Sequence, residues 1–276
     1  MDLKDDYLEL LKKTLTYSLW DPPPVPVSRF QHALPTWKRG LAMVLQRIFS
    51  VRGIQLVKTF PYSDDDIREG RVIPELAHTM IGKVRLDQLH DAIETILEED
   101  VDGDLIEAGV WRGGACMLMR AVLKCHGVDD RKVFVADSFS GFPPPDLERH
   151  ADDYLFENDR GADFLTVPLE KVRENFRAYG LLDEQVVFVP GFFESSLAAA
   201  DIDRLSLIRV DADMFGSTLA ALKELYPRLQ AGGFCIVDDY AGFECRRAVD
   251  AYRQDNGIEE PIQRIDHSGI FWRKSS

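Results

Sequence analysis

Residues 205–240 read LSLIRVDADMFGSTLAALKELYPRLQAGGFCIVDDY, and this stretch decides the fold. The apolar run Leu205–Val210 ends in Asp211 and Asp213. Leu219, Ala220, Leu222, Leu225 and Leu229 follow at roughly helical spacing, and Gly232-Gly233 reads as the stop of that helix. A second apolar run, Phe234–Val237, ends in Asp238-Asp239. Strand, helix, strand is the unit of a parallel sheet, and a right-handed crossover brings both strand ends to one edge. Asp211, Asp213, Asp238 and Asp239 are therefore expected to converge at the carboxyl edge, where open α/β sheets bind ligands. Carboxylates gathered there repel one another unless a cation sits among them, and oxygen-only ligands suit a hard divalent ion such as Mg²⁺. The alternative is that acidic residues simply end the strands in solvated loops.

Upstream, Asp104–Glu107 reads as a strand. It leads into Ala108-Gly109-Val110-Trp111-Arg112-Gly113-Gly114 and a helix from Ala115 to about Lys124. Glycines in such a turn admit a ligand to the backbone, and the helix amino terminus favours negative charge. A second strand, Lys132–Ala136, ends in Asp137, placed to accept hydrogen bonds from a ribose diol. Together these features indicate a nucleoside-containing ligand. A nicotinamide fingerprint needs G-x-G-x-x-G directly after its strand. Here Glu107 opens the turn and the bulky Trp111 fills a glycine position, crowding a pyrophosphate. S-adenosylmethionine fits better: it has an adenosine for Asp137, an amino group for acids near the turn, and no phosphate. Trp111 is expected to pack under it and Gly113 to shape the turn.

Ser138–Gly161 is rich in proline, acids and aromatics, which reads as a lid over about 140–163. Leu169–Tyr179 reads as a helix and Val186–Val189 as a strand. Gly191, Phe192 and Phe193 follow, and the two rings sandwich a flat base or are ordinary core. Beyond the central unit, Glu244–Gln254 is helical, and Ile262–Asp266 with Gly269–Arg273 forms a closing antiparallel pair.

The amino-terminal side is different. Asp2–Leu19 reads as an amphipathic helix ended by Asp21-Pro22-Pro23-Pro24, and Val25–Pro35 as loop. Thr36–Phe60 carries Lys38, Arg39, Arg47, Arg52 and Lys58 with no acid, and an apolar face of Leu41, Val44, Leu45, Ile48 and Phe49. Such a helix packs on its own domain or on another subunit, or lies on a membrane or partner. Further helices are expected from Pro74 through Met80 and over Val84–Glu98. The expected organisation is a helical amino-terminal cap over 1–100 and a Rossmann-like, doubly wound α/β catalytic domain over 101–276. Its sheet is mostly parallel with an antiparallel edge hairpin, the class I methyltransferase type.

A chain of 276 residues that is 45% hydrophobic holds one large α/β domain with an extension. Its net charge of −14 argues against nucleic acid as a partner. Four cysteines without a C-x-x-C pair suggest reduced thiols and a cytoplasmic protein. The charged opening is unlike a signal peptide, and no apolar run reaches the length of a membrane span.

EAGVWRGGACMLM, ADSFSGFPPP, VDADMFGSTLAALKELYPRLQAGGF and VDDY resemble the macrocin O-methyltransferase family, which methylates sugar hydroxyls on macrolides and other glycosylated natural products. Thr79-Met80-Ile81-Gly82 with Arg85-Leu86-Asp87 resembles that family's segment before the first strand, and DLKDDYLELLKKTL is similar too. The likeness covers roughly Ala77 to Trp272 and the first twenty residues. The family has glycine where Ala212 stands and tyrosine where Phe215 stands; Thr36–Phe60 matches nothing in it. The resemblance implies S-adenosylmethionine- and Mg²⁺-dependent methyl transfer with inversion. By position, Asp211, Asp238 and Asp239 hold the metal, and Thr79, Met80, Glu107, Gly109, Asp137, Ser138 and Phe192 line the cofactor.

A sugar hydroxyl is a poor nucleophile at neutral pH. Coordination to Mg²⁺ lowers its pKa, and Asp211, otherwise Asp213, takes the proton. A chelating vicinal diol predicts a sugar or a catechol as acceptor. His267 is a further base candidate or a structural residue, and His78 stands beside Thr79. Glu148, His150, Asp152 and Asp153 touch substrate or are solvated. A catechol methyltransferase, a nicotinamide dehydrogenase and a non-catalytic nucleoside-binding scaffold are the competing readings. A homo-oligomer is expected from the basic helix.

Overall fold

Strands β6 (Leu205–Val210) and β7 (Leu229–Val237) run side by side and parallel. They are joined by α9 (Phe215–Leu225). All six residues of β6 are buried, as befits a central strand covered on both faces. The computed structural model describes residues 2–21, 24–26, 36–59, 63–145, 147–148, 153 and 162–275. Five more strands complete the sheet: β3 (Asp104–Ala108), β4 (Val133–Asp137), β5 (Val186–Pro190), β8 (Gln263–Arg264) and β9 (Ile270–Arg273). The order is β5-β4-β3-β6-β7-β9-β8. β3 to β7 pair in parallel, while β9 pairs antiparallel with both β7 and β8. The doubly wound sheet with an antiparallel edge is the architecture expected from the sequence. Chain direction across the sheet reverses between β3 and β6, so their carboxyl ends flank the switch-point crevice.

Alternation along each strand splits the core into two layers. Leu105, Leu207, Phe234 and Ile236 face one layer with α1 (Leu3–Leu15), α4 (Lys83–Glu98), α5 (Gly114–Cys125) and α7 (Leu169–Ala178). Ile106, Ile208, Val210, Cys235 and Val237 face the other, with α8 (Phe193–Ala199), α9 and α10 (Phe243–Asp255). Glu107 and Arg209 point into the first layer by the same alternation, and they are register partners.

Several boundaries differ from the sequence expectation. The helix after β6 stops at Leu225, and Gly232-Gly233 lies inside β7. Pro227 cannot continue an α-helix, and the chain passes through a short 3₁₀ turn, Tyr226–Arg228. The register then shifts between Leu205 and Leu207, with Gly232 at φ 84. No helix runs from Pro74 to Met80. The backbone there is used by tertiary bonds instead: His78 N–H donates to Leu15 O, and His78 O accepts from Gly114 N–H at 3.0 Å. Helix α1 ends at Leu15 rather than Leu19; Thr16 Oγ1 folds back onto Lys12 O and Tyr17 takes φ 60. Two short helices, α3 (Asp64–Arg68) and α6 (Ala162–Leu165), and the helix α8 were not foreseen.

Helix α2 (Thr36–Ser50) does form over the basic segment. Its Leu41, Met43, Val44 and Ile48 are each more than half exposed. Two residues on either side of it, β1 (Val25–Pro26) and β2 (Val57–Lys58), pair antiparallel. The rest of Val25–Pro35 lies outside the described residues. All four cysteines are free thiols. No helix among the described residues is long and apolar enough to cross a membrane.

Candidate active site

The turn after β3 is packed more tightly than a ligand alone would require. Gly109 takes φ 92, and a β-carbon there would stand 1.7 Å from the Asp211 carbonyl oxygen. At Gly113, φ 87, a β-carbon would press on Phe176 and Val172 of α7; at Gly114 it would strike His78 O. These glycines let the turn nest among α7, residues 78–79 and the end of β6. Asp137 braces the same turn. Its Oδ2 accepts from Val110 N–H at 2.9 Å and its Oδ1 from Phe139 N–H at 2.8 Å. Ser138 Oγ also lies 3.4 Å from Oδ1, and Asp137 itself lines the crevice. Burial raises the Asp137 carboxyl, and the backbone bonds only partly oppose this.

A cleft of about 630 Å³, its open mouth included, lies at the switch point. Seven of the ten residues expected to hold the cofactor line it: Met80, Gly109, Trp111, Asp137, Ser138, Gly191 and Phe192. Asp211, Ala212 and Asp213 line it too. Trp111, at φ 47, donates its indole N–H to Phe164 O and carries the Arg112 guanidinium 4.1 Å above its ring. Thr79, Glu107 and Gly113 are not among the lining residues. Thr79 is 7% exposed, with its hydroxyl 3.4 Å from Ile81 N–H. Glu107 is buried and turns inward, accepting from the Cys116 thiol and from Arg209. Burial pushes its pKa up to about 7 despite Arg209.

At the ends of β6 and β7 one carboxylate oxygen from each of Asp211, Asp238 and Asp239 lies within 4.8 Å of the others. The parallel register Val210↔Val237 sets Asp211 beside Asp238. Asp239 Oδ2 is buried without a hydrogen-bond partner among the described residues. Burial first, then the charges of Asp211, Asp213 and Asp238, hold the Asp239 carboxyl well above the usual range. Burial also raises Asp238, against the pull of Arg209 and Arg85. An all-oxygen cluster with an unpartnered buried acceptor is what a hard divalent cation requires. Asp213, at φ 55, stands at the start of the turn into α9.

Two arginines that sequence reading did not single out organise this cluster. Arg209 Nη1 donates to Glu107 and to Asp211 Oδ2 at 2.9 Å, and its Nη2 donates to Asp238. Arg85 Nη1 donates to Asp238 Oδ2 at 2.5 Å, and its Nε to Asp266 at 2.7 Å. An arginine inside the otherwise apolar run Leu205–Val210 was the available signal.

Other expected residues fall elsewhere. His78 hydrogen-bonds Tyr179 at 3.1 Å, and burial lowers its pKa. His267 is half exposed beside Asp266. Most of the 140–163 segment, including His150 and Asp152, lies outside the described residues. Asp153, in contrast, is 1% exposed. It accepts from the Phe215 and Gly216 amides at 2.6 and 3.0 Å.

The model of the macrocin-O-methyltransferase (TylF) family matches residues 4–274. This chain belongs to that family. As a macrocin O-methyltransferase family member it is an O-methyltransferase, and its fold implies S-adenosylmethionine as methyl donor. It is 42% identical over 279 aligned residues to 8-demethyl-8-(2,3-dimethoxy-alpha-L-rhamnosyl)-tetracenomycin-C 4'-O-methyltransferase of Streptomyces olivaceus, covering 100% of this chain and 95% of that one. It is 43% identical to mycinamicin III 3''-O-methyltransferase of Micromonospora griseorubida, over 80% of this chain and 88% of the relative. Among solved structures it superposes on the O-methyltransferase NovP with TM-score 0.84 at 38% identity, covering 99% of this chain and all of the other.

Proposed function

We propose that this enzyme methylates a sugar hydroxyl of a glycosylated, macrolide-like natural product, with Mg²⁺ held by Asp211, Asp238 and Asp239. The observation that carries this reading is the convergence of those three carboxylates within 4.8 Å. Of the three, Asp211 lines the cleft directly, beside the Asp137-braced turn that packs on its backbone. The names of the relatives, which act on glycosylated products, support the acceptor class.

S-adenosylmethionine supplies an electrophilic methyl group, and Mg²⁺, when bound, lowers the pKa of an acceptor hydroxyl. The chain's residues do the rest. Asp137 and Ser138 bind the nucleoside end of the donor, with Phe192 against the base. Met80, Gly109, Trp111 and Gly191 shape the pocket around it; Thr79, Glu107 and Gly113 support that wall from behind. Asp211, with Asp213 as the alternative, accepts the hydroxyl proton as general base. The segment 140–163 excludes water and contacts the acceptor. Placing the oxygen in line with the methyl group is an effect of position.

Calorimetric titration of S-adenosylmethionine with and without Mg²⁺, followed by glycoside turnover in chelator and after Mg²⁺ is restored, tests this. Donor binding in both conditions, with turnover only when Mg²⁺ is present, is expected. Full turnover in excess chelator refutes the metal role. Turnover of free catechols but not glycosides refutes the acceptor class.

For assembly, the enzyme is proposed to be a cytoplasmic homo-oligomer. The net charge of −14 becomes −19 once the five basic residues of 36–60 are set aside. The segment 36–60, which bears the exposed apolar residues of α2, therefore carries a charge complementary to the rest of a second copy.

A further inference from the structure

Arg209 and Arg85 grip one carboxylate from two sides. Arg209 is 2% exposed and sits on β6 between Glu107 of β3 and Ile236 of β7. Its two terminal nitrogens reach three acids that belong to three different strand ends: Glu107, Asp211 and Asp238. Arg85 comes from the first turn of α4 and meets the other oxygen of Asp238, so each Asp238 oxygen accepts from a different guanidinium. Arg85 is itself held by Asp266, whose Oδ1 accepts from Ser268 N–H at 2.9 Å and Gly269 N–H at 2.7 Å. Ser268 Oγ also donates to the Asp238 carbonyl at 2.9 Å. The Asp238 side chain cannot rotate without breaking a buried, charged hydrogen bond, yet each oxygen retains an acceptor direction. A planar guanidinium fork fixes such angles; an ammonium of equal charge does not.

We propose that Arg209 and Arg85 are positioning residues that clamp the Asp238 carboxylate in the orientation where it joins Asp211 and Asp239 as a ligand, so that a divalent cation meets a preset site. Arg209 sets Asp211 at the same time. This rests on reading the three aspartates as metal ligands. The clamp acts by geometry, not by charge, and that distinction is testable.

The apoprotein, without donor or acceptor, is titrated with Mn²⁺ while the free ion is followed by electron paramagnetic resonance. Arg209→Lys and Arg85→Lys keep the charge and lose the fork. Each is expected to raise the Mn²⁺ Kd about tenfold or more, the usual effect of losing a partner behind a metal ligand. Arg120→Lys is the control. Arg120, a buried arginine of α5 away from the cluster, pairs with the part-exposed Asp183, and the Kd of its variant should stay within about twofold of wild type. Wild-type Mn²⁺ affinity in both clamp variants, or equal weakening in Arg120→Lys, overturns the clamp while leaving the metal reading intact. Absence of Mn²⁺ binding by the wild-type protein overturns the metal reading itself. If Arg209→Lys lacks a cooperative unfolding transition, Arg85→Lys, at the rim of the network, decides alone.

Discussion

Gly109 lies against the backbone of Asp211, so close that a β-carbon would come within 1.7 Å of the Asp211 carbonyl oxygen. The turn at the end of β3 and the acidic end of β6 thus touch through main chain alone. Gly109→Ala combines that clash with a left-handed backbone, φ 92, that alanine resists. It is expected to lower stability by about 3 kcal/mol and to weaken donor binding, measured by urea unfolding and calorimetry. Wild-type values in both would mean that the turn and the strand end move independently.

Asp239→Asn should separate chemistry from stability. No hydrogen bond is recorded to its buried Oδ2 among the described residues, so the amide leaves no guanidinium stranded. Turnover should fall at least about a hundredfold, the loss of some 2.7 kcal/mol of barrier lowering, with the melting temperature near wild type. Asp238→Ala should lose turnover as well, but it strands Arg85 and Arg209, which costs about 3–5 kcal/mol. Equal melting temperatures for the two variants would argue against the two-arginine grip.

Asp153 caps α9 across 62 residues of sequence. The helix has no capping side chain of its own, since Met214 stands at its N-cap, and its first amides turn to Asp153 instead. Asp153→Ala should cost about 1–2 kcal/mol, and Asp153→Asn should recover part of that in denaturant titrations. An unchanged unfolding midpoint in the alanine variant would dismiss the cap.

Acid should expose the Arg120–Asp183 pair. Hydrogen bonds from Arg120 hold the Asp183 carboxyl below its ordinary value of 3.8. A depressed carboxylate stabilises the folded state above its unfolded pKa, and that contribution disappears as pH falls through the folded value. Wild-type stability should therefore drop more steeply below about pH 4 than that of Asp183→Asn, followed by urea unfolding across the acid range. Parallel curves would show the pair to be silent.

Charge placed on the open face of α2 should disrupt assembly. Leu41 and Val44 are 55% and 57% exposed; Leu41→Asp with Val44→Asp is expected to shift the sedimentation coefficient toward that of a single chain. Sedimentation of the variant as the same oligomer would place the interface elsewhere.

Sequence reading located the sheet and the acidic strand ends because both obey short-range rules. Short apolar runs ending in aspartate mark Leu205–Val210 and Phe234–Val237, and handedness brings their ends together. It misjudged Gly232-Gly233, since a glycine pair ends a helix or eases a register shift, and only pairing with β6 tells which. The expected helix through Thr79-Met80 was wrong because His78 takes its backbone partners from Leu15 and Gly114, one of them 63 residues away in the chain. Arg85 was visible within a family-like segment and Arg209 within an apolar strand. Their convergence on Asp238 depends on packing between α4 and the sheet, which no local pattern encodes.

The antiparallel edge has a consequence for biosynthesis. Asp211, Asp238 and Asp239 are all translated before Asp266, Ser268 and β9, yet Asp238 is held through those later residues. Domains fold as their chain emerges, amino end first. A nascent polypeptide still lacking that hairpin therefore holds the acids and both arginines, but not the Asp266 brace behind Arg85 or the Ser268 bond to the Asp238 carbonyl. The brace behind Arg85 is thus set only after β8 and β9 have been made.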